Sequence, residues 1–244
     1  VLFRSPLFYL PHYSRTFDRH VYNFSFVPGY RSAYGPLLLT SFNWALTNDL
    51  SGALHLDYRQ RRGLGAGPGL NYDLGKFGVG SFDYYYANDN NPGTNLVGAP
   101  ISEHRQRLKF YHHAEIETNL TVKAMVRYQT DPFIVRDFFE GEYRKNIQPS
   151  TFLEVNKLWD NFSVNLLAQP RVMNFYETVE RLPDVKLSAL RQRIGSTPLF
   201  YEGETSAGYF ERRFSGNTQP QFSAMRADTF HQVVAPHTFF NWLN

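Results

Sequence analysis

The chain has 244 residues, a formal net charge of +3, no cysteine, and 17% aromatic residues carried by 22 Phe and 16 Tyr. These values exclude a disulfide framework and a thiolate metal site, and the charge is too small for the concentrated basic stripe of a nucleic-acid binder. No run of 18 apolar residues exists to form a transmembrane helix, whereas a membrane β-barrel stays open, because its strands are only about 10 residues of alternating character.

In chain order, period-2 alternation predicts strands over about 21–32, 36–47, 50–59, 64–74, 76–87, 104–116, 120–129, 150–158, 162–172, 182–193, 198–212 and 226–240. The pattern is clearest at 50–59, where Leu50, Gly52, Leu54, Leu56 and Tyr58 oppose Ser51, Ala53, His55, Asp57 and Arg59. At 120–129, Leu120, Val122, Ala124, Val126 and Tyr128 oppose Thr121, Lys123, Met125, Arg127 and Gln129. The fold class is therefore all-β, an antiparallel meander of about twelve strands without an amphipathic helix.

The glycine-rich stretch RRGLGAGPGLNYDLGKFGVGSF, 61–82, does not carry the glycine spacing of a phosphate loop, and no helical pattern follows it. It alternates instead: Leu64, Ala66, Pro68, Leu70 and Tyr72 share one parity, and Gly63, Gly65, Gly67, Gly69 and Asn71 share the other. That is a strand with one apolar face and one face of small residues.

Short turns at Thr47-Asn48-Asp49, Gly75-Lys76, Glu117-Thr118-Asn119 and Asp160-Asn161 alternate with long polar loops at 88–103, 131–149, 173–181 and 213–225. Tight turns at one end and long loops at the other are the layout of an outer-membrane barrel. Connections near Ala33 to Gly35 and at Arg61-Arg62 are short and depart from it. Alternation alone leaves two readings open, since the apolar parity faces a core in a soluble sandwich and lipid in a membrane barrel. Strands of 10 to 13 residues, long against a mode of about 5 or 6, favour the barrel. So do Trp44, Tyr58, Tyr72 and Tyr128 at strand ends, where an aromatic girdle would lie.

Several groups that invite a chemical role read better without one. His112 and His113 are adjacent and point to opposite faces of a strand, so with His104 they make no shared metal site. Asn88-Asp89-Asn90-Asn91-Pro92 lacks the register of a calcium loop and reads as a polar surface loop. Nothing places Asp137, Glu140 and Glu142 around a substrate as acid and base. No metal, cofactor or enzymatic activity is expected.

Several segments in order resemble the lipopolysaccharide-assembly outer-membrane protein (LptD) family. These are PLFYLPHYSRT (6–16), FSFVPGYRS (24–32), LLLTSFNWALTNDLSGALHLDYRQRRGL (37–64), DPFIVRDFF (131–139) and ERLPDVKL (180–187). The resemblance implies that 1–17 is the end of a periplasmic jelly roll and that 18–244 is the N-terminal portion of a larger transmembrane barrel. It implies location in the Gram-negative outer membrane and passage of lipopolysaccharide through a lumen and out of a lateral gate. Implied partners are lipopolysaccharide itself, outer-membrane lipid, a plug lipoprotein and a periplasmic bridge protein.

Pro28, without an N–H, falls on the first barrel strand, where it would weaken a seam; the same residue also fits the edge of any sheet. The family's second gate proline is replaced here by Ser41, with Pro36 five residues earlier. Inward parity would present Arg31, Arg59, Lys109, Lys123, Arg127 and Arg171 to the lumen, where they would attract phosphate groups. The alternative is a solvated charged face balanced by Asp57, Asp73 and Glu115. Two other functions stay open: a soluble carbohydrate-binding module with Tyr84, Tyr85 and Tyr86 as a stacking platform, and a general diffusion porin whose loops fold inward.

Overall fold

The computed structural model describes residues 22–145, 150–217 and 219–236; the jelly-roll expectation for 1–17 lies outside these. Twelve antiparallel strands form one meander in which each strand pairs with its neighbours in sequence. They are β1 (Asn23–Arg31), β2 (Gly35–Thr47), β3 (Leu50–Arg59), β4 (Gly63–Asp73), β5 (Val79–Asp89) and β6 (His104–Glu117), followed by β7 (Leu120–Gln129), β8 (Phe152–Trp159), β9 (Phe162–Gln169), β10 (Thr178–Arg193), β11 (Phe200–Arg213) and β12 (Phe222–Val234). Among the described residues nothing pairs with the outer edge of β1 or of β12.

Four strands depart most from the periodicity. β5 starts at Val79 instead of 76, after a 3-10 turn over Gly75–Phe77. β9 stops at Gln169, β10 starts at Thr178, and β12 begins four residues before 226 and ends at Val234, with part of the expected 226–240 strand outside the described residues. In β10 the early start brings Val179 and Glu180 into register with Arg212 and Glu211, ahead of a bulge between Arg181 and Asp184.

Because directly paired residues share a face, the register carries each parity across the sheet. Phe42, Leu54 and Pro68 stand in one row on the apolar face, while Asp83, Lys109 and Arg127 stand in one row on the polar face. Burial runs opposite to that of a water-soluble protein. Leu56, Tyr58, Leu64, Leu187 and Met225 on the apolar face are exposed, whereas Asp57, Arg59, Asp89, Arg105 and Arg107 on the polar face are buried. Trp44 lies over Gly52 at the turn end of the apolar face, and a Cβ at Gly52 would run into its ring.

The polar face is covered by the connection between β7 and β8. Contrary to the expectation of a polar loop without helix, it contains α1 (Ile134–Phe138) and α2 (Glu140–Tyr143), which fold back onto the sheet. Ile134 and Phe138 pack with Tyr85 and Ala87 of β5 into the hydrophobic cluster, and Val135 and Phe139 flank it. Helices this short carry no readable period of their own; the tertiary contact of their apolar side chains with the sheet fixes them.

Candidate functional site

The site lies at the loop end of the polar face, where α1 and α2 meet β3, β5 and β6. Its centre is Arg105, fully buried together with Asp89. Arg105 Nη1 donates to Asp89 Oδ2 at 2.6 Å and to Asp137 Oδ2 at 3.0 Å. Its Nε and Nη2 grip Asp131 at 2.8 and 2.7 Å in a two-point fork. Arg62 adds a second guanidinium, 3.0 Å from Asp89 and 3.4 Å from Asp137. Asp89, expected in a polar surface loop, is instead the buried end of β5; Arg105, two strand residues from the Lys109 row, draws it inward.

Beside this network, Tyr85 lies across β4. Its hydroxyl donates to Asp57 Oδ2 at 2.9 Å and accepts from Arg59 Nη1 at 2.8 Å, while Arg59 Nη2 also donates to Asp57 at 3.3 Å. Gly65 makes this reach possible, since a Cβ there would occupy the place of the Tyr85 hydroxyl. Arg107 donates to Glu142 at 2.7 Å and stacks on the Phe139 ring, 3.9 Å from its centroid. Arg59 Nε and Arg107 Nη1 are buried without a hydrogen-bond partner among the described residues; the Phe138 and Phe139 rings take up part of that charge through cation–π contact.

The expected inward residues divide into groups. Arg31, at the end of β1, faces α2 and pairs with Glu140 at 3.3 Å. Arg59 is buried in the site. Lys109, Lys123 and Arg127 share the polar parity nearer the turn end, with Lys109 between Asp83 and Arg127 and Lys123 between His113 and Glu154. Neither Lys109 nor Lys123 joins an ion pair among the described residues. Arg171 lies past the end of β9 rather than on it, and its Nη1 donates to the Phe214 carbonyl at 2.8 Å. Pro28 stands on the edge strand opposite Leu38 with no break in register. Pro68 is the proline at which pairing lapses, because the β4–β5 pairs skip from Ala66 to Gly69. Ser41 is on the polar face, opposite Ser25 and His55, and accepts from Asn43 Nδ2 at 3.2 Å.

Sequence reasoning missed Arg62, Arg105 and Arg107. A usable signal existed in the alternation Arg105, Arg107, Lys109, but their carboxylate partners are 16 to 35 residues away. His112 bonds Tyr72 on the apolar side and His113 faces Glu115 on the other. Among the described residues no three His or acidic side chains gather as a metal site. Asp137, Glu140 and Glu142 each face a guanidinium, and the pairs with Arg105, Arg31 and Arg107 bind the segment to the sheet. Tyr84 and Tyr86 point to the apolar face and Tyr85 to the polar face, so the three form no common stacking platform. In the connection 170–177, Tyr176 accepts from Gln129 Nε2 at 3.2 Å, and burial raises its phenol above the ordinary value.

The chain matches no protein-family model, and no curated protein matches it.

Proposed function

We propose that the chain is the N-terminal portion of an outer-membrane barrel that passes lipopolysaccharide to the outer leaflet, acting as a conduit without covalent chemistry. One observation carries the membrane part of this reading. The large apolar side chains of the sheet are exposed in rows on one face, while charged side chains are buried on the other, an arrangement stable where lipid meets the apolar rows. The lipopolysaccharide part rests on the ordered resemblance of five sequence segments and on the basic residues of the polar parity, Lys109, Lys123 and Arg127, which would meet anionic sugar phosphates in the lumen. The open edge of β1, with Pro28 on it, is where a lateral gate would lie.

Depleting the protein from its own cells tests this: newly made lipopolysaccharide should stop reaching the cell surface. Unchanged surface lipopolysaccharide with reduced uptake of small hydrophilic solutes would point to a diffusion porin. One feature favours that second reading, the α1–α2 segment folded onto the polar face where a porin carries its constriction.

A further inference from the structure

The polar parity is charged on β3 and β6 but apolar over the loop-end part of β1 and β2, where Val27 pairs with Leu39 and Gly29 with Leu37. These residues form one wall of a cleft of about 420 Å³, whose other wall is Phe138, Phe139 and residues Glu140 to Glu142 of α2. Gly29 helps keep it open, since a Cβ there would already press on Leu37. Strand β1 has no partner on its far side among the described residues, so the cleft lies on the edge strand of the described sheet.

At the mouth the chemistry changes. A polar recess of about 640 Å³ continues from the cleft and shares Arg31, Tyr34, Glu140 and Gly141 with it. Arg31 and Arg144 both turn to the one carboxylate of Glu140. Arg59, deeper in, is already matched by Asp57. Two exposed guanidiniums on one carboxylate leave the mouth with a net positive charge and with donors to spare.

We infer that this cleft binds an anionic membrane lipid, with an acyl chain between Val27, Leu39 and Phe139 and its phosphate at Arg31 and Arg144. The inference rests on the membrane-barrel reading above. An apolar slot alone would accept any chain; the net positive charge of the mouth favours a headgroup of net negative charge over a zwitterionic one, and guanidinium holds its phosphate in a two-point fork. The chain then sits beside the edge through which a lipid would leave or join the bilayer.

The test uses the intact protein in phosphatidylcholine vesicles containing a photoactivatable phospholipid with a diazirine at the acyl terminus, supplied either as phosphatidylglycerol or as phosphatidylcholine. Adducts are mapped by mass spectrometry. The inference expects labelling at Val27, Leu39 or Phe139 to be about fivefold stronger with the phosphatidylglycerol probe, the factor that one lipid–cation contact supplies. In the variant R31Q/R144Q this preference should vanish while labelling of Leu153 and Leu166 on the apolar face stays as before. Equal labelling of the cleft by both probes would overturn the anionic selection. Labelling of Leu153 and Leu166 with none in the cleft would overturn the site and leave the membrane reading standing. Labelling at neither place would overturn both.

Discussion

The Tyr85 hydroxyl donates to Asp57 across the whole width of β4, lying against Gly65, and so ties β5 to β3 over the strand between them. The glycine parity of β4 is thus a trough in which a tyrosine lies. Gly65→Leu should displace Tyr85 and break both of its bonds, whereas Ala66→Leu, one residue on and facing the other way, should be tolerated. Two lost hydrogen bonds to charged partners amount to about 3 to 6 kcal/mol. Urea unfolding in vesicles measures the difference; equal stability of the two variants would count against the trough.

Arg105 holds three carboxylates at once, those of Asp89, Asp131 and Asp137. Replacing it with Met leaves the buried Asp89 and Asp131 with only Arg62 and the half-exposed Arg136 near the cluster among the described residues, a loss of about 3 to 5 kcal/mol. The α1–α2 segment should then lift from the sheet, so that trypsin cuts after Arg136 or Arg144 much faster than in the parent protein. Arg107→Met removes a single partner, Glu142, and should have a smaller effect on the same digestion.

Leu166 and Leu167 are neighbours on β9 with opposite surroundings. Leu166 pairs with Val155 and Val185 on the apolar face; Leu167 pairs with Glu154 and Asp184 on the polar face. Leu166→Arg should cost about 2 to 4 kcal/mol in a bilayer and reduce assembled protein in the membrane, read by heat-modifiable migration on gels. Leu167→Arg, set between two acids, should assemble normally.

Pro68 supplies a milder test. Pairing between β4 and β5 lapses at this residue and its neighbour Gly67, so Pro68→Val, which restores an N–H and keeps an apolar side chain outward, should stabilise the sheet by about 1 kcal/mol. A lower urea midpoint would show that the proline's fixed backbone matters more than the missing bond.

The strands were legible in the sequence because one face of apolar and one of polar side chains leave a period of two that survives over ten residues, as in Leu120 to Gln129. The parity of Arg31, Arg59, Lys109, Lys123 and Arg127 followed from the same rule. Arg171 did not, because Pro170 ends the ladder just before it. The helices of five and four residues were not legible, nor was the burial of Asp89, because both depend on contacts between β5, β6 and a segment folded back from beyond β7. The apolar run Leu37-Leu38-Leu39 was the one visible sign that β2 is apolar on both faces at its loop end.

The most direct test of the central claim uses the absence of cysteine from the chain. Single cysteines at Leu153, Glu154, Asn165 and Leu166 are exposed to a membrane-impermeant maleimide with the protein in its own outer membrane. The account predicts labelling at Glu154 and Asn165 through the aqueous interior and protection at Leu153 and Leu166 by lipid. Labelling of Leu153 and Leu166 as fast as the other two, or recovery of the protein as a monomer in buffer without detergent, would contradict it.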